Sequence, residues 1–326
     1  MIAFGYTVAT SEADAVGLAA RPGAKYIAGG TDLLNLMRDG AEQHSHLVDI
    51  NHLDLAGVTA DDNGLRIGAL ARMRAVAADR RVRDGYPVLS QALLASASPQ
   101  VRNMASIGGN LLQRTRCGYF RDAGSACNKR NPGSGCPAIA GQNRIHAIVG
   151  GSEHCIASHP SDLAVALVAL EAVVQLVGPD GRRAVPIADF HVLPGSTPHV
   201  ENVLRPGELI VRVDVPSSPL AVHSRYLKLR DRATFEFAVV SVASAMRLQR
   251  RRVEDVRLAF GGIGTKPWRS RPAEDALRGR PLTVDTIADA GRALVRGAVP
   301  RRENQFKVEL VQRALAGVLS EQGGIR

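Results

Sequence analysis

The four cysteines of this chain are confined to one short segment. They are Cys117, Cys127, Cys136 and Cys155, and no other cysteine occurs among the 326 residues. The surrounding region, residues 106–155, is rich in Gly, Pro and Asn and is predicted to be loop-like. Thiols gathered in an irregular segment are typical of a metal-ligand set, which predicts a tetrathiolate zinc site or an iron–sulfur cluster. Two disulfides are the alternative, but the first twenty residues carry no secretory signal, and this favours metal.

The spacing of the cysteines bears on which metal they bind. Thiolates ligate iron and zinc alike, so the ligand type leaves the metal open. Zinc ribbons and knuckles use short C-x2-C pairs, whereas the gaps here are nine, eight and eighteen residues, which favours a larger cluster. Basic side chains nearby would offset its negative charge, namely Arg114, Arg116, Arg121, Lys129 and Arg130. Three histidines also occur nearby, but four cysteines already suffice as ligands: His146, His154 and His159.

The overall charge raises the question of a nucleic-acid partner. The formal net charge is +10, but the basic residues are dispersed, and aromatic residues make up only 4% of the chain. We therefore expect no nucleic acid, although a zinc-stabilised nucleic-acid-binding protein remains an alternative. The longest apolar run, Leu163–Leu170, is too short to span a bilayer, so we expect no membrane span.

Two glycine turns predict a site for a phosphorylated ligand. In the first, a strand at Lys25–Ala28 runs into Gly29 and Gly30, and Thr31 caps a helix that continues to about Arg38. Glycines permit close approach of a ligand, and the first helical amides favour a diphosphate. The second turn lies at Ser106–Asn110. The GxGxxG and GxxxxGK[ST] patterns are absent, which disfavours a Rossmann NAD site and a P-loop.

The order of the remaining elements predicts a second domain, of α+β type, at the C-terminal end. A hairpin is indicated around Asp180-Gly181, and the best boundary is Ser217-Ser218-Pro219. Three strands and then three helices follow this boundary, without βαβ alternation, at about 223–231, 237–249, 253–262, 270–279, 283–297 and 303–319. We therefore predict domains at 1–218 and 219–326.

Three motifs carry a resemblance to a known family: Ala28–Leu33 (AGGTDL), Ser106–Leu111 (SIGGNL) and His159–Ala164 (HPSDLA). They resemble the flavin-contact motifs of the FAD-binding subunit of molybdenum hydroxylases, the family of xanthine dehydrogenase, CO dehydrogenase and aldehyde oxidoreductase. The resemblance extends over essentially the whole chain. The cysteine segment departs from most of the family and is similar to bacterial periplasmic aldehyde oxidoreductases, whose FAD subunit holds an additional 4Fe–4S cluster.

The resemblance implies a fold and a set of site residues. The fold is α+β, with a two-part FAD-binding domain of the PCMH type, an iron–sulfur insertion at about 113–157, and a smaller C-terminal domain with a three-stranded antiparallel sheet and helices. The four cysteines would hold one 4Fe–4S cluster. Asp162 would accept hydrogen bonds from FAD hydroxyls, and Lys228 would steady negative charge on the flavin. The complete set implied to bind FAD is Lys25, Tyr26, Ile27, Ala28, Gly29, Gly30, Thr31, Asp32, Leu33, Ser106, Gly109, Asn110, Asp162, Ile210 and Lys228.

The resemblance also implies electron transfer within a heteromeric oxidoreductase. A large molybdenum-cofactor subunit would oxidise an aldehyde, and a small subunit with two 2Fe–2S clusters would pass electrons to this chain and on to an external acceptor. No catalytic residue for aldehyde chemistry is therefore expected here. A stand-alone flavin oxidase remains an alternative. Since no export signal is visible, we expect a periplasmic location through co-export with a signal-bearing partner, or else a cytoplasmic one.

Overall fold

The N-terminal part begins with a small parallel sheet. The computed structural model describes residues 2–325. Within them, β1 (Gly5–Val8), β2 (Ala24–Ile27) and β3 (His46–Asp49) form a sheet of order β1-β3-β2 with parallel pairings. Helices α1 (Glu12–Ala19) and α2 (Leu33–Arg38) provide the crossovers that parallel strands require. The loop between β2 and α2 is the first glycine turn.

A second sheet of five antiparallel strands supports the rest of this part. Its order is β4-β5-β8-β6-β7, from β4 (Val58–Asp61), β5 (Gly64–Gly68), β6 (Val173–Gly178), β7 (Gly181–Pro186) and β8 (Leu209–Pro216). The predicted hairpin is β6–β7, which turns at Gly181 with a φ of 100°. Helices pack beside the sheet: α3 (Met73–Ala78), α4 (Arg80–Gly85), α5 (Pro87–Ala95), α6 (Pro99–Met104) and α7 (Ile107–Leu111), then α9 (Asp162–Ala169) and α10 (Ile187–Phe190). Every residue of α9 is buried, and after Asp162 the helix is apolar on all sides.

The cysteine segment lies between α7 and α9. It contains the short helix α8 (Gly118–Arg121) and one 3-10 turn (Pro137–Ile139), and is otherwise irregular. The loop prediction for 106–155 is wrong over Ile107–Leu111, which is helical despite two glycines. The reason is the N-cap, where the Ser106 hydroxyl accepts a hydrogen bond from the Gly109 amide at 3.2 Å.

The C-terminal part is a sheet covered by helices, which confirms the α+β prediction. The strands are β9 (Ser224–Leu229), β10 (Val240–Gln249), β11 (Arg252–Gly261) and β12 (Trp268–Arg269), in the order β12-β11-β10-β9. The helices are α11 (Arg271–Leu277), α12 (Val284–Leu294) and α13 (Phe306–Gly323). The three predicted strands are present, and the fourth has only two residues, too few for a periodic pattern. None of the helices within residues 2–325 is both long and apolar enough to cross a bilayer.

Strand β10 contributes side chains to the hydrophobic cores of both parts. Ala243 and Ala245 pack into the core of the N-terminal part, while Val242 and Met246 pack into the C-terminal core. Successive side chains of a strand point to opposite faces, so one strand closes both cores. The C-terminal sheet is therefore a fixed support for the N-terminal part.

Candidate functional site

One large cleft collects the residues implied to bind FAD. The loop Lys25–Leu33 forms one side of it, the second glycine turn forms another, and Ile210 contributes from β8. Ser106, Gly109, Asn110, Asp162 and Lys228 line the same cleft. The structure thus brings together segments that are far apart in the sequence, and every residue of the set implied to bind FAD lines this cleft.

The first glycine turn has the geometry of an anion cradle. Gly30 has a φ of 66°, and a Cβ on Gly29 would lie 2.1 Å from the carbonyl oxygen of Met104. Within residues 2–325, the amides from Gly29 through Asp32 donate to no protein acceptor, so they are available to a bound anion. The predicted capping role of Thr31 is wrong, because Asp32 occupies the N-cap position and its side chain does not cap the helix.

The second glycine turn is held by buried polar contacts. Asn110 is buried, and its Oδ1 accepts a hydrogen bond from Ser161 Oγ at 2.6 Å. Gly108 lies against Ala69, where a Cβ would approach the Ala69 Cβ to 3.1 Å. Ser106 is committed to its capping bond. This turn therefore presents a rigid backbone to the cleft.

Asp162 is the centre of a buried polar network at the end of the cleft. Tyr226 donates to its Oδ1 at 2.6 Å, and Lys228 Nζ lies 2.8 Å from its Oδ2. Ser96 Oγ lies 2.9 Å from the same Oδ2. Burial and the adjacent carboxylate raise the pKa of Tyr226 well above its ordinary value, so its hydroxyl stays a neutral donor. In this structure Asp162 holds Lys228 in place, and its predicted contact with FAD hydroxyls stays a prediction.

The four cysteines line one small chamber beside the cleft. Tyr119 and Phe120 form part of the wall of this chamber. All four thiols are free, and three of them are buried, the exception being half-buried Cys136. Burial raises the pKa of Cys117 to about 12, and the neighbouring thiols contribute in the same direction.

The donor set fits a thiolate-ligated cluster in number and chemistry. Burial also raises the pKa of Cys136 and Cys155, so deprotonation of the set needs a compensating positive centre such as iron. Among residues 2–325, no three or more His, Cys, Asp or Glu side chains are arranged closely enough to hold a metal ion. Of the three histidines, His146 and His154 border the chamber, whereas His159 lies outside it and packs edge-to-face against His191.

An ion-pair network joins the cleft to the chamber. Asp32, which directly follows the first glycine turn, pairs with Arg121 at 2.7 Å and with Arg116 at 3.0 Å. Its other oxygen accepts a hydrogen bond from the backbone amide of Arg114 at 2.7 Å. All three arginines belong to the cysteine segment, so one carboxylate fixes this segment against the first glycine turn.

Further contacts also connect the cleft to the cysteine segment. The Arg114 guanidinium pairs with both Glu42 and Glu201, and Lys129 Nζ lies 2.7 Å from Glu201. Leu36, on α2, lines the cleft and also packs in the buried cluster that contains three of the cysteines. The cleft and the chamber therefore have a common wall.

Sequence reasoning did not find the partners of these basic residues. Arg114, Arg116 and Arg121 were predicted to offset cluster charge, but their carboxylate partners lie up to about ninety positions away. No local pattern could reveal such pairs. It also did not find the contact of Phe237 with Arg116 at the cleft, where the guanidinium lies 4.7 Å from the ring centre.

Comparison with known protein families is consistent with this geometry. The family described as "FAD binding domain in molybdopterin dehydrogenase" matches residues 2–218, two thirds of the chain. The family described as "CO dehydrogenase flavoprotein C-terminal domain" matches residues 225–322. The chain belongs to the FAD-binding subunits of the molybdenum hydroxylase family. The resemblance is thus confirmed, and this flavoprotein subunit has the FAD-binding domain that the resemblance implied.

Individual relatives of this flavoprotein subunit cover its full length. The aldehyde oxidoreductase FAD-binding subunit PaoB of Escherichia coli K12 is 50% identical over 98% of both chains. The xanthine dehydrogenase FAD-binding subunit of E. coli O157:H7 is 28% identical over 97% of this chain and 94% of its own. Among solved structures, carbon monoxide dehydrogenase from Hydrogenophaga pseudoflava matches with a TM-score of 0.76 and 25% identity over 99% of both chains.

We predict that Gly29→Ala weakens FAD binding by about ten-fold or more, roughly 1.4 kcal/mol. The added Cβ would collide with the backbone oxygen of Met104, so the loop would move and its amides would leave the diphosphate. The measurement is flavin absorbance per chain after gel filtration. Gly17→Ala in α1 is the control, since a Cβ there meets nothing within 4 Å. Full flavin occupancy in Gly29→Ala would contradict the assignment.

We predict that Asp32→Asn lowers the free energy of unfolding by about 1.5–3 kcal/mol, the range for hydrogen bonds to charged groups. The amide cannot neutralise Arg116 and Arg121, which are largely buried in the wall between cleft and chamber. Chemical denaturation checks the stability, and flavin content reports on the loop. Asp39→Asn is the matched control, because Asp39 approaches Arg121 only to 4.0 Å. Equal stability of the two variants would refute the role of Asp32.

Proposed function

We propose that this chain is the electron-transfer subunit of a molybdenum-containing aldehyde oxidoreductase and that it carries FAD and a 4Fe–4S cluster. The E. coli K12 aldehyde oxidoreductase subunit supports the aldehyde assignment through 50% identity over the whole length. The observation that supports the electron-transfer role is the common wall of cleft and chamber, where Leu36 of α2 lines the cleft and packs with three of the cysteines, and Lys129 of the chamber pairs with Glu201 of the cleft at 2.7 Å. Two redox groups separated by one such wall form a relay.

FAD fits the cleft through the unpaired amides and the glycine geometry. When bound, it supplies the electron-accepting and electron-donating chemistry that protein side chains lack. The residues of this chain bind and orient it. The loop Gly29–Asp32 offers amide donors to the diphosphate. Lys228 places a buried positive charge at the cleft wall, fixed by Asp162 at 2.8 Å, where it opposes negative charge on a reduced ring.

A 4Fe–4S cluster fits the chamber through its donor set. Cys117, Cys127, Cys136 and Cys155 would be its ligands, and such a cluster supplies one-electron transfer. Phe120 is buried and excludes water from this side, and Arg114 lies over its ring at 4.7 Å from the centre. The cationic surroundings stabilise an anionic cluster, and they also raise its potential.

The proposed partners are a large molybdenum-cofactor subunit and a small subunit with two 2Fe–2S clusters. The relatives support this, because their names describe FAD-binding subunits and medium chains of larger enzymes. Aldehyde oxidation would take place on the large subunit, and electrons would leave through this chain to an external acceptor. The family match leaves the zinc-stabilised nucleic-acid-binding alternative without support. Location in the periplasm through co-export stays a prediction of the sequence.

We predict that the chain, purified without oxygen, contains about four iron and four sulfide per FAD, as a four-cysteine cubane requires. Cys127→Ser should lose most of the iron yet keep the flavin, since the cleft is built from other segments. Metal analysis and the absorption spectrum provide the test. Stoichiometric zinc without iron would exclude the cluster while leaving the FAD assignment intact.

We predict that the isolated chain binds FAD and is reduced by dithionite but does not react with an aromatic aldehyde. Addition of the two partner subunits should allow the aldehyde to bleach the flavin. The measurement is anaerobic absorbance with the chain alone and then with its partners. Rapid bleaching by the chain alone would identify a self-sufficient flavin oxidase, and the subunit assignment would then be wrong.

A further inference from the structure

A buried histidine contacts one of the four cysteines. His146 is 3% exposed, and its Nε2 lies 3.2 Å from Cys117 Sγ. Its other ring nitrogen, Nδ1, is buried and has no partner among residues 2–325. The ring therefore makes a single polar contact in the described structure, and that contact is with the sulfur of a proposed cluster ligand.

The position of His146 is fixed by the C-terminal part of the molecule. Its carbonyl oxygen accepts hydrogen bonds from Lys307 Nζ at 3.0 Å and from Asn304 Nδ2 at 3.3 Å. Both of these side chains are fully buried. Lys307 Nζ also donates to the carbonyl oxygen of Gly262 at 2.7 Å, so this one nitrogen joins the turn after β11 to the His146 backbone.

A second set of hydrogen bonds holds the backbone just before His146. The Asn143 amide donates to a carboxylate oxygen of Glu303 at 3.0 Å, and the Glu303 amide donates to Asn143 Oδ1 at the same distance. The His146 amide in turn donates to the carbonyl oxygen of Asn143 at 3.0 Å. These bonds connect the cysteine segment to the chain just before α13. The imidazole is thus positioned by elements outside the ligand loop.

We propose that His146 is a hydrogen-bond donor that tunes the reduction potential of the cluster. This inference rests on the proposed function, because it requires a cluster on Cys117. A ligating thiolate has no proton, so a hydrogen bond at this contact places the ring proton on Nε2, with Sγ as the acceptor. Hydrogen bonds to cluster sulfurs withdraw negative charge and favour the reduced, more anionic state. His146 therefore raises the potential of the cluster.

The test compares donor-free and donor-retaining side chains in the full holo-protein. His146→Phe and His146→Met remove the N–H, whereas His146→Gln retains an amide N–H near the Nε2 position. Because the donor-free variants lose a hydrogen bond to a charged group, we expect their ratio of reduced to oxidised cluster at a fixed potential to be about ten-fold lower than in the parent. That ratio corresponds to about 59 mV for a one-electron couple. The readouts are a redox titration followed by electron paramagnetic resonance, together with iron, sulfide and flavin content.

A matched control lies on the same chamber. His154→Phe makes the same chemical change at an exposed residue whose ring makes no described contact with a cysteine sulfur within residues 2–325. We expect unchanged potential in this control, a lower potential in the Phe and Met variants, and recovery of most of the shift in His146→Gln. Unchanged iron content in all variants is part of the expected result.

The outcomes separate this inference from the function on which it rests. Full iron in the parent and an unchanged potential in both donor-free variants would overturn the tuning role alone. Selective loss of iron in the Phe, Met and Gln variants would make His146 a ligand, which also overturns it. Absence of iron from the anaerobic parent would overturn the proposed cluster and this inference together.

Discussion

The carboxylate of Asp32 connects the two halves of the functional region. It sits at the start of α2, directly after the glycine turn, yet it does not cap that helix. It pairs instead with Arg116 and Arg121 and accepts the Arg114 amide. A partly buried carboxylate surrounded by such donors is stabilised by charge-assisted hydrogen bonds. Since the loop beside it is the proposed diphosphate cradle, the position of the flavin and the position of the cysteine segment depend on the same residue.

This arrangement also explains part of the basic composition. Arg114 and Lys129 share Glu201, and a second carboxylate, Glu42, lies on the other side of Arg114. Hydrogen bonds and the nearby positive charges outweigh burial at Glu42, so its pKa falls to about 2 and the pair stays ionised. Part of the positive charge of the cysteine segment is therefore used inside the protein, where it binds the insertion to the flavin domain. The same cations lie beside the proposed anionic cluster.

The sequence predicted the glycine turns, the α+β class and the order of the C-terminal elements, because these depend on local patterns. Gly29 and Gly30 indicate a tight turn by residue type alone, and strands such as β10 are long enough to be recognised from their run of strand-favouring residues. It did not predict the ion pairs of Asp32 and Asp162, because their partners are distant in the sequence. It also placed His146 only as a poor candidate ligand. The Nε2 contact with Cys117 depends on hydrogen bonds by which Glu303, Asn304 and Lys307 hold the backbone at and before His146. No local sequence pattern links residues so far apart.

The base of the insertion shows how a flavin domain accommodates a cysteine segment. Asn110 ends the second glycine turn and Ser161 caps α9, and their side chains are joined by a hydrogen bond of 2.6 Å. The chain therefore leaves the flavin domain and returns to it at one point. Because a hydrogen bond closes this loop at its base, the length of the loop can grow at a modest entropic cost. The segment gains its order from elsewhere, from Asp32 on the flavin side and from the chain preceding α13 on the other. A rigid chamber between two fixed walls is what a redox relay requires, since its groups must keep their positions as their charge changes.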